Sequence, residues 1–292
     1  MGALFSHLGI AFMRMLAWLP LSWVRAVGWL MGWLLYAVVL PRRKVVRKNL
    51  MLCFPELSAQ AIRALEPKVF IYFAQAWLDR GWLWHAPRAV VAKRLQLTGA
   101  VQEFAGNSPI VIFAPHFMGM DAGGIALMLN VPRQYTSIYT DQSNKVVDAW
   151  MLRGRQRLGV MRMFNRMDGV REIAHSLKQG QPLYLLPDMD FGSSGALFVP
   201  FFGVPTATVP SLSRFARLGS AKVVPVITRL TKSGYDVQVL PAWQNFPTTN
   251  LGADTLRMNQ ELEGYIRSMP EQYYWVHKRF KTRPAGQLNL YP

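Results

Sequence analysis

Acidic residues and cysteine are scarce in this chain. Among 292 residues there are 16 Asp and Glu against 33 Lys and Arg, and one thiol, Cys53. A single cysteine excludes an intramolecular disulfide and any cysteine-rich metal centre, and it fits a reducing compartment. The formal net charge of +17 selects anionic partners: lipid headgroups, nucleic acid or an acidic protein. Zinc-finger spacing, an RNP motif and a basic-region heptad are all missing, which argues against nucleic acid. No G-x-S-x-G elbow occurs, because Gly192-Ser193-Ser194-Gly195 has the wrong spacing, so a serine acyl-enzyme is not expected. Repeats, low-complexity tracts and long linkers are absent too. What the chain has in abundance is apolar surface: 51% hydrophobic residues and ten Trp, with only 17% charged. That composition favours a lipid-facing protein over a DNA-facing one.

The apolar residues are concentrated first at the amino terminus. From Met1 to Pro41 the only formal charges are Arg14 and Arg25. Pro20 should split this segment into two helices, since it removes a donor and clashes with the preceding turn. The 16 uncharged residues between Arg25 and Arg42 fall slightly short of the ~20 that cross a bilayer, although Arg25 could snorkel. Arg42, Arg43, Lys44, Arg47 and Lys48 follow at once, a cluster that is retained on the cytoplasmic side and attracted to anionic lipid. The first residues carry no positive charge and no small-x-small site ends the run, which is not the pattern of a cleaved signal peptide. Residues 1–41 are therefore expected to be membrane-anchoring helices, either spanning or interfacial; a buried helical hairpin is the alternative.

Ser58 to Trp84 reads as an aromatic-rich helix interrupted by Pro87. Beyond it, apolar strands are predicted at 109–114, 135–140, 182–187, 222–228 and 235–240. Helices are predicted at 121–130, 143–158, 168–179, 208–219 and 253–269. Alternation of this kind gives one α/β domain over 42–292, with a central sheet sandwiched by helices.

Chemistry centres on Pro109-Ile-Val-Ile-Phe-Ala-Pro-His-Phe-Met-Gly-Met-Asp121. A buried strand delivers His116 to its end, and a carboxylate follows five positions later. On one continuous helix those two would point about 140° apart. They can meet only if 117–120 bend, which Gly119 permits. Asp121 would then hold one ring nitrogen of His116 and leave the other as a general base. The plainer alternative is that His116 ends a strand and Asp121 caps the next helix. His7 and His85 have no carboxylate so placed, and His175 and His277 read as structural. Arg153, Arg155, Arg157 and Arg162, with Arg166 and Arg171 beyond, suit phosphates and acidic sugars, or form a solvated helix face. Asp188 and Asp190 follow the strand at 182–186. Such an Asp-x-Asp either positions a substrate, caps a loop, or holds a divalent ion as in nucleotide-sugar glycosyltransferases.

The histidine, four residues and an acid resemble the signature of the membrane glycerolipid and lipid A acyltransferases. Four further stretches resemble the late (lauroyl/myristoyl-type) branch of lipid A biosynthesis. They are Arg47-Lys48-Asn49-Leu50 with Cys53-Phe54-Pro55-Glu56; Arg153-Gly154-Arg155; Pro187-Asp188-Met189-Asp190-Phe191-Gly192 with Phe198-Val199-Pro200-Phe201-Phe202-Gly203; and Pro270-Glu271-Gln272-Tyr273, Trp275 and Arg279-Phe280-Lys281. They cover nearly the whole chain. The Glu-Gly-x-Arg-Ser stretch of the phospholipid-directed members is absent.

The resemblance implies a glycerol-3-phosphate acyltransferase-like α/β fold at the cytoplasmic face of a bacterial inner membrane. It implies transfer of a fatty acyl chain from acyl carrier protein to a hydroxyl of a lipid A precursor of the Kdo-lipid IVA type. Catalysis would need no metal or other cofactor and no acyl-enzyme, with His116 and Asp121 catalytic and Arg153, Arg155, Asp188 and Asp190 on the substrate. Arg279, Lys281 and Arg283 are candidate contacts for anionic lipid or the acidic carrier protein. Two other classes stay open: a metal-dependent glycosyltransferase using Asp188 and Asp190, and a non-enzymatic basic membrane-binding protein. A glycerophospholipid or glycolipid acceptor is a further variant of the first reading.

Overall fold

The computed structural model describes residues 2–165 and 169–291; Met1, Arg166, Met167, Asp168 (the predicted start of a helix) and Pro292 lie outside the described residues. Three helices come first: α1 (Gly2–Leu16), α2 (Leu21–Val38) and α3 (Leu40–Cys53). Pro20 separates the first two as its missing donor requires. The basic stretch Arg42–Lys48 lies in α3, started by Pro41 in its first turn, where the absent N–H costs nothing. The 27-residue α4 (Ala59–His85) follows, its first turn capped by Ser58 Oγ accepting from the Ala61 N–H, and then the short α5 (Arg88–Arg94).

The catalytic-sized body alternates strand and helix: β1 (Leu95–Gly99), β2 (Ile110–Phe113), α6 (Met120–Asn130), β3 (Tyr135–Tyr139), α7 (Lys145–Arg155), β4 (Met161–Asn165), α8 (Val170–Lys178) and β5 (Leu183–Leu185). It continues with β6 (Leu197–Phe201), β7 (Val204–Thr208), α9 (Ser211–Gly219), β8 (Lys222–Thr231), β9 (Gly234–Val239) and α10 (Leu251–Ser268). Among the described residues, seven strands form one sheet in the order β1-β9-β8-β2-β5-β3-β4, parallel except for the β8–β9 pair. The second sheet is the antiparallel hairpin β6–β7. All four side chains of β2 are buried, as expected for a parallel strand covered on both faces. At roughly 1.5–3 kcal/mol for each large apolar side chain removed from water, that strand anchors the core.

The five predicted strands and five predicted helices all appear, within a few residues of their expected ends. The strands not anticipated have physical reasons for being hard to read. β1 and β4 are sheet edges that mix polar with apolar residues, and the hairpin carries Pro200 opposite Pro205, residues that ordinarily argue against a strand.

Candidate active site

His116 does not meet Asp121. Its ring Nδ1 lies 2.8 Å from Asp188 Oδ1, and its backbone N–H donates to Asp188 Oδ2 at 3.0 Å. The Tyr273 hydroxyl also donates to Oδ2, at 2.9 Å. Strand register explains the encounter. β2 and β5 are parallel neighbours with Phe113 paired to Leu185, and both chains then run x-Pro before His116 and before Asp188. The two functional groups thus stand three residues past a paired position at the carboxyl ends of adjacent strands, where sites of open parallel sheets form.

Asp188 is fully buried while the His116 side chain keeps 19% exposure. Burial would raise the Asp188 carboxyl, but the His116 charge and the hydrogen bonds from His116 and Tyr273 bring it below its usual value. With Nδ1–H donating to that carboxylate, the second ring nitrogen, Nε2, is left with a free electron pair. The loop bearing His116 is pinned from the other side by the Pro270–Trp275 segment, a 3-10 turn followed by an isolated bridge. Met118 N–H donates to Gln272 O, Tyr274 N–H donates to His116 O, and Phe117 bridges Tyr273.

Asp121 has different partners. Its carboxylate sits in the first turn of α6 without capping it. Arg80 Nε reaches Oδ2 at 2.8 Å and Arg155 Nε reaches Oδ1 at 2.9 Å. Burial pushes the Asp121 carboxyl up, and the two guanidinium charges with their hydrogen bonds more than reverse this, holding it at about 2. The expected orienting contact is therefore corrected: Asp188 holds the imidazole, and Asp121 is the counter-ion of two arginines. Gly119 is also needed for a reason other than bending. Its φ is an ordinary −84°, but an added Cβ would lie 2.5 Å from Thr228 Cγ2 and 2.8 Å from the Tyr235 ring.

Both constellations face one cavity of about 500 Å³. His116, Asp121 and Arg155 stand on its wall, and Ile125, Met128, Met161 and Phe215 are among the side chains that make the rest of it apolar. Arg153 and Arg155 part company. Arg153 is exposed, whereas Arg155 turns inward. Gly154 between them lets α7 press against α4, since a Cβ there would lie 2.2 Å from the Trp84 ring. Asp190 is buried and structural in its contacts: it accepts from Gly192 N–H, Thr282 N–H and Thr282 Oγ1. Arg279, expected at the surface, is fully buried and donates to Ala207 O and Thr208 Oγ1.

Several residues at the site were not singled out from the sequence. Arg80 was legible in principle, because Asp79-Arg80 are the only formal charges in α4 between Val69 and Trp84. Tyr273 lay inside a recognised motif without an assigned role. His277, expected to be structural, occupies a bend on the cavity wall and accepts from the Asp190 N–H. Burial, with the nearby Arg279 and His116 charges, pushes its imidazole down to about 4. Asn49 explains the Arg-Lys-Asn stretch: its amide donates to Trp275 O and His277 O, tying α3 to the segment behind His116. Among the described residues no group of three or more His, Cys, Asp or Glu is arranged to hold a metal ion.

Comparison with known proteins decides the family. The profile of the bacterial lipid A biosynthesis acyltransferases matches residues 2–282. The chain belongs to that family. Among individual lipid A acyltransferases, the palmitoleoyltransferase of Escherichia coli K12 is 32% identical across 86% of this chain and 82% of its own length. The lauroyltransferase of the same strain is 30% identical, across 97% and 94%, and the myristoyltransferase 31%, across 83% and 76%. This lipid A acyltransferase is thus an acyl-transferring enzyme, and its sheet flanked by helices, with an apolar amino-terminal helix, is the frame expected from sequence.

Proposed function

We propose that this enzyme transfers a fatty acyl chain from acyl carrier protein to a hydroxyl of a lipid A precursor of the Kdo-lipid IVA type. It does so at the cytoplasmic face of the bacterial inner membrane, with residues 1–41 as its anchor and anionic lipid as its surface. The observation that carries this reading is His116 on the wall of an apolar cavity, backed by a fully buried Asp188. His116 Nε2 takes the acceptor's proton as the hydroxyl oxygen attacks the thioester carbonyl. The new C–O bond forms, the C–S bond breaks, and the proton passes to the departing thiolate. Asp188 keeps the ring in the tautomer that leaves Nε2 free and stabilises its transient positive charge.

Arg155, held by Asp121 on the cavity wall, supplies a fixed positive group toward the carbonyl oxygen or an acceptor phosphate. Exposed Arg153 suits the acceptor's acidic headgroup rather than the reacting atoms. The only thiol, Cys53, is fully buried in the α3 packing, which supports direct transfer without a covalent intermediate. Asp190 holds the 190–192 and 282 backbones together and so shapes the cavity rim. Both Asp188 oxygens are engaged by His116 and Tyr273, which speaks against a divalent ion there.

The test is mass spectrometry of a tetra-acylated lipid A precursor incubated with the purified full chain and acyl carrier protein thioesters, in chelator. A gain of one acyl chain, abolished by His116→Ala, is expected. Turnover that persists in His116→Ala would remove the imidazole from the mechanism.

A further inference from the structure

We infer that the protein sits in a single leaflet, with α1 and α2 lying on the membrane surface, and that α2 does not cross the bilayer. By composition α2 is long and apolar enough to be a span, at about 27 Å for 18 residues against about 30 Å of hydrocarbon. Its packing says otherwise. α2 runs antiparallel to α4 in unbroken register from end to end. At its start Arg25 Nη1 is 2.7 Å from the fully buried Asp79. One turn on, a Cβ at Gly28 would lie 2.7 Å from Gln75, and at Gly32 2.4 Å from the Ile71 backbone. At its end Tyr36 bonds Glu66, which also binds Arg47 of α3. α4 in turn supplies Arg80 to Asp121. A helix tied along its whole length to the element that builds the active site cannot be surrounded by lipid without taking Glu66, Asp79 and the sheet into hydrocarbon, which is prohibitive for charged groups.

A second observation is independent of the first. If α2 crossed, α1 would lie on the far side. Yet Gly81 of α4 makes room for the Met13 carbonyl of α1, and the Asn144 side chain opening α7 donates to Ser6 Oγ at 2.8 Å. Both helices remain against the body.

The occupant of their outer faces is the lipid surface. Phe5, Phe12 and Met15 on α1 and Trp23, Leu30 and Leu34 on α2 are exposed, and Trp18 at the turn between them is 83% exposed. Arg14 on α1, and Arg42 and Lys44 in the first turns of α3, are exposed, complementing anionic headgroups. This placement rests on the membrane location proposed above and not on the acyl-transfer chemistry.

The experiment uses the full chain in bacterial membranes and a membrane-impermeant maleimide. Cys53 is fully buried and serves as the silent background. His7→Cys on α1 and Lys44→Cys on α3 should both label in inverted vesicles, and neither in spheroplasts. Labelling of His7→Cys in spheroplasts, or its protection in inverted vesicles until the membrane is dissolved, overturns the inference. In parallel, a variant combining Phe5→Asp, Phe12→Asp, Leu30→Asp and Leu34→Asp should move most of the protein to the soluble fraction with unchanged circular dichroism. A folded variant that stays in the membrane pellet argues against these faces as the anchor. Loss of transfer activity with normal labelling would count against the proposed reaction instead.

Discussion

His116 and Asp188, 72 residues apart in sequence, are held together by two contacts at once, one from the ring and one from the backbone N–H. A carboxylate that grips both the imidazole and the peptide unit behind it fixes the ring's position as well as its tautomer. The grip follows from strand pairing, since β2 and β5 end in step and each is stopped by a proline one residue before its functional group.

Replacing Asp188 by Asn should therefore strike catalysis first. The amide presents an NH2 group where the carboxylate accepted from three donors, so at least one bond is lost and the ring is free to adopt the other tautomer. We expect kcat/KM to fall by about 10²–10⁴-fold, the range for impaired proton transfer, with the KM for the acyl donor nearly unchanged. Steady-state kinetics on the folded variant check this. A loss confined to KM would show that Asp188 serves binding instead.

Asp121→Asn should behave differently, because the residue neutralises Arg80 and Arg155 rather than the imidazole. Removing one partner of a largely buried charge cluster leaves the others uncompensated, at a cost of about 3 kcal/mol or more. Chemical denaturation should show that loss together with reduced activity. Adding Arg155→Met in the same chain should restore part of the stability and none of the activity.

Much of this was readable in the sequence. The β2, β5 and β8 strands announce themselves as apolar runs because parallel strands are buried on both faces. The location of His116 at a strand end follows directly. What failed was the choice of its partner. Local spacing nominated Asp121, while the true contact depends on which strands are neighbours, and β5 enters the sheet between β2 and β3. The repeated Pro-His and Pro-Asp strand ends were a usable signal for that pairing. The charged pair Asp79-Arg80 marked α4, and Tyr273 lay in a motif, but neither named its partner, since Asp121 is 41 residues from Arg80 and Asp188 85 from Tyr273. Arg279 shows the reverse failure: a basic residue near a terminus suggested solvent, but it is buried against the hairpin strand β7, where Ala207 O and Thr208 Oγ1 accept from its guanidinium.

The depressed His277 gives a stability signature in acid. Its imidazole is pushed down to about 4 from an ordinary 6.5 by burial and by the Arg279 and His116 charges. The unfolded chain binds this proton first, so stability rises with pH through this window. The contribution is fully present above about pH 6.5 and is lost progressively as pH falls to about 4. It amounts to about 3 kcal/mol at 1.36 kcal/mol per unit. His277→Gln retains an acceptor for the Asp190 N–H and removes the titration. Urea unfolding from pH 7 to pH 4 should be less steeply pH-dependent in the variant. Parallel curves would show that His277 does not resist protonation.

The cavity wall at Gly124 should control which acyl chains fit. An added Cβ there would stand 3.6 Å from Met161 Cε and 3.9 Å from the Tyr184 ring, ordinary contact distances that require no backbone shift. Gly124→Ala should thus fold well and gain up to about 1 kcal/mol from the stiffer helix. Gly124→Leu would fill space meant for about three or four methylenes of the donor. At about 0.8 kcal/mol per buried methylene, that amounts to roughly a hundredfold loss of kcat/KM for the longest accepted chain. Short donors, which do not reach that depth, should retain near-normal rates. Competition between thioesters of different length, read by mass spectrometry of the product, measures the shift. An unchanged length preference in a folded Gly124→Leu enzyme would place the acyl chain elsewhere in the cavity.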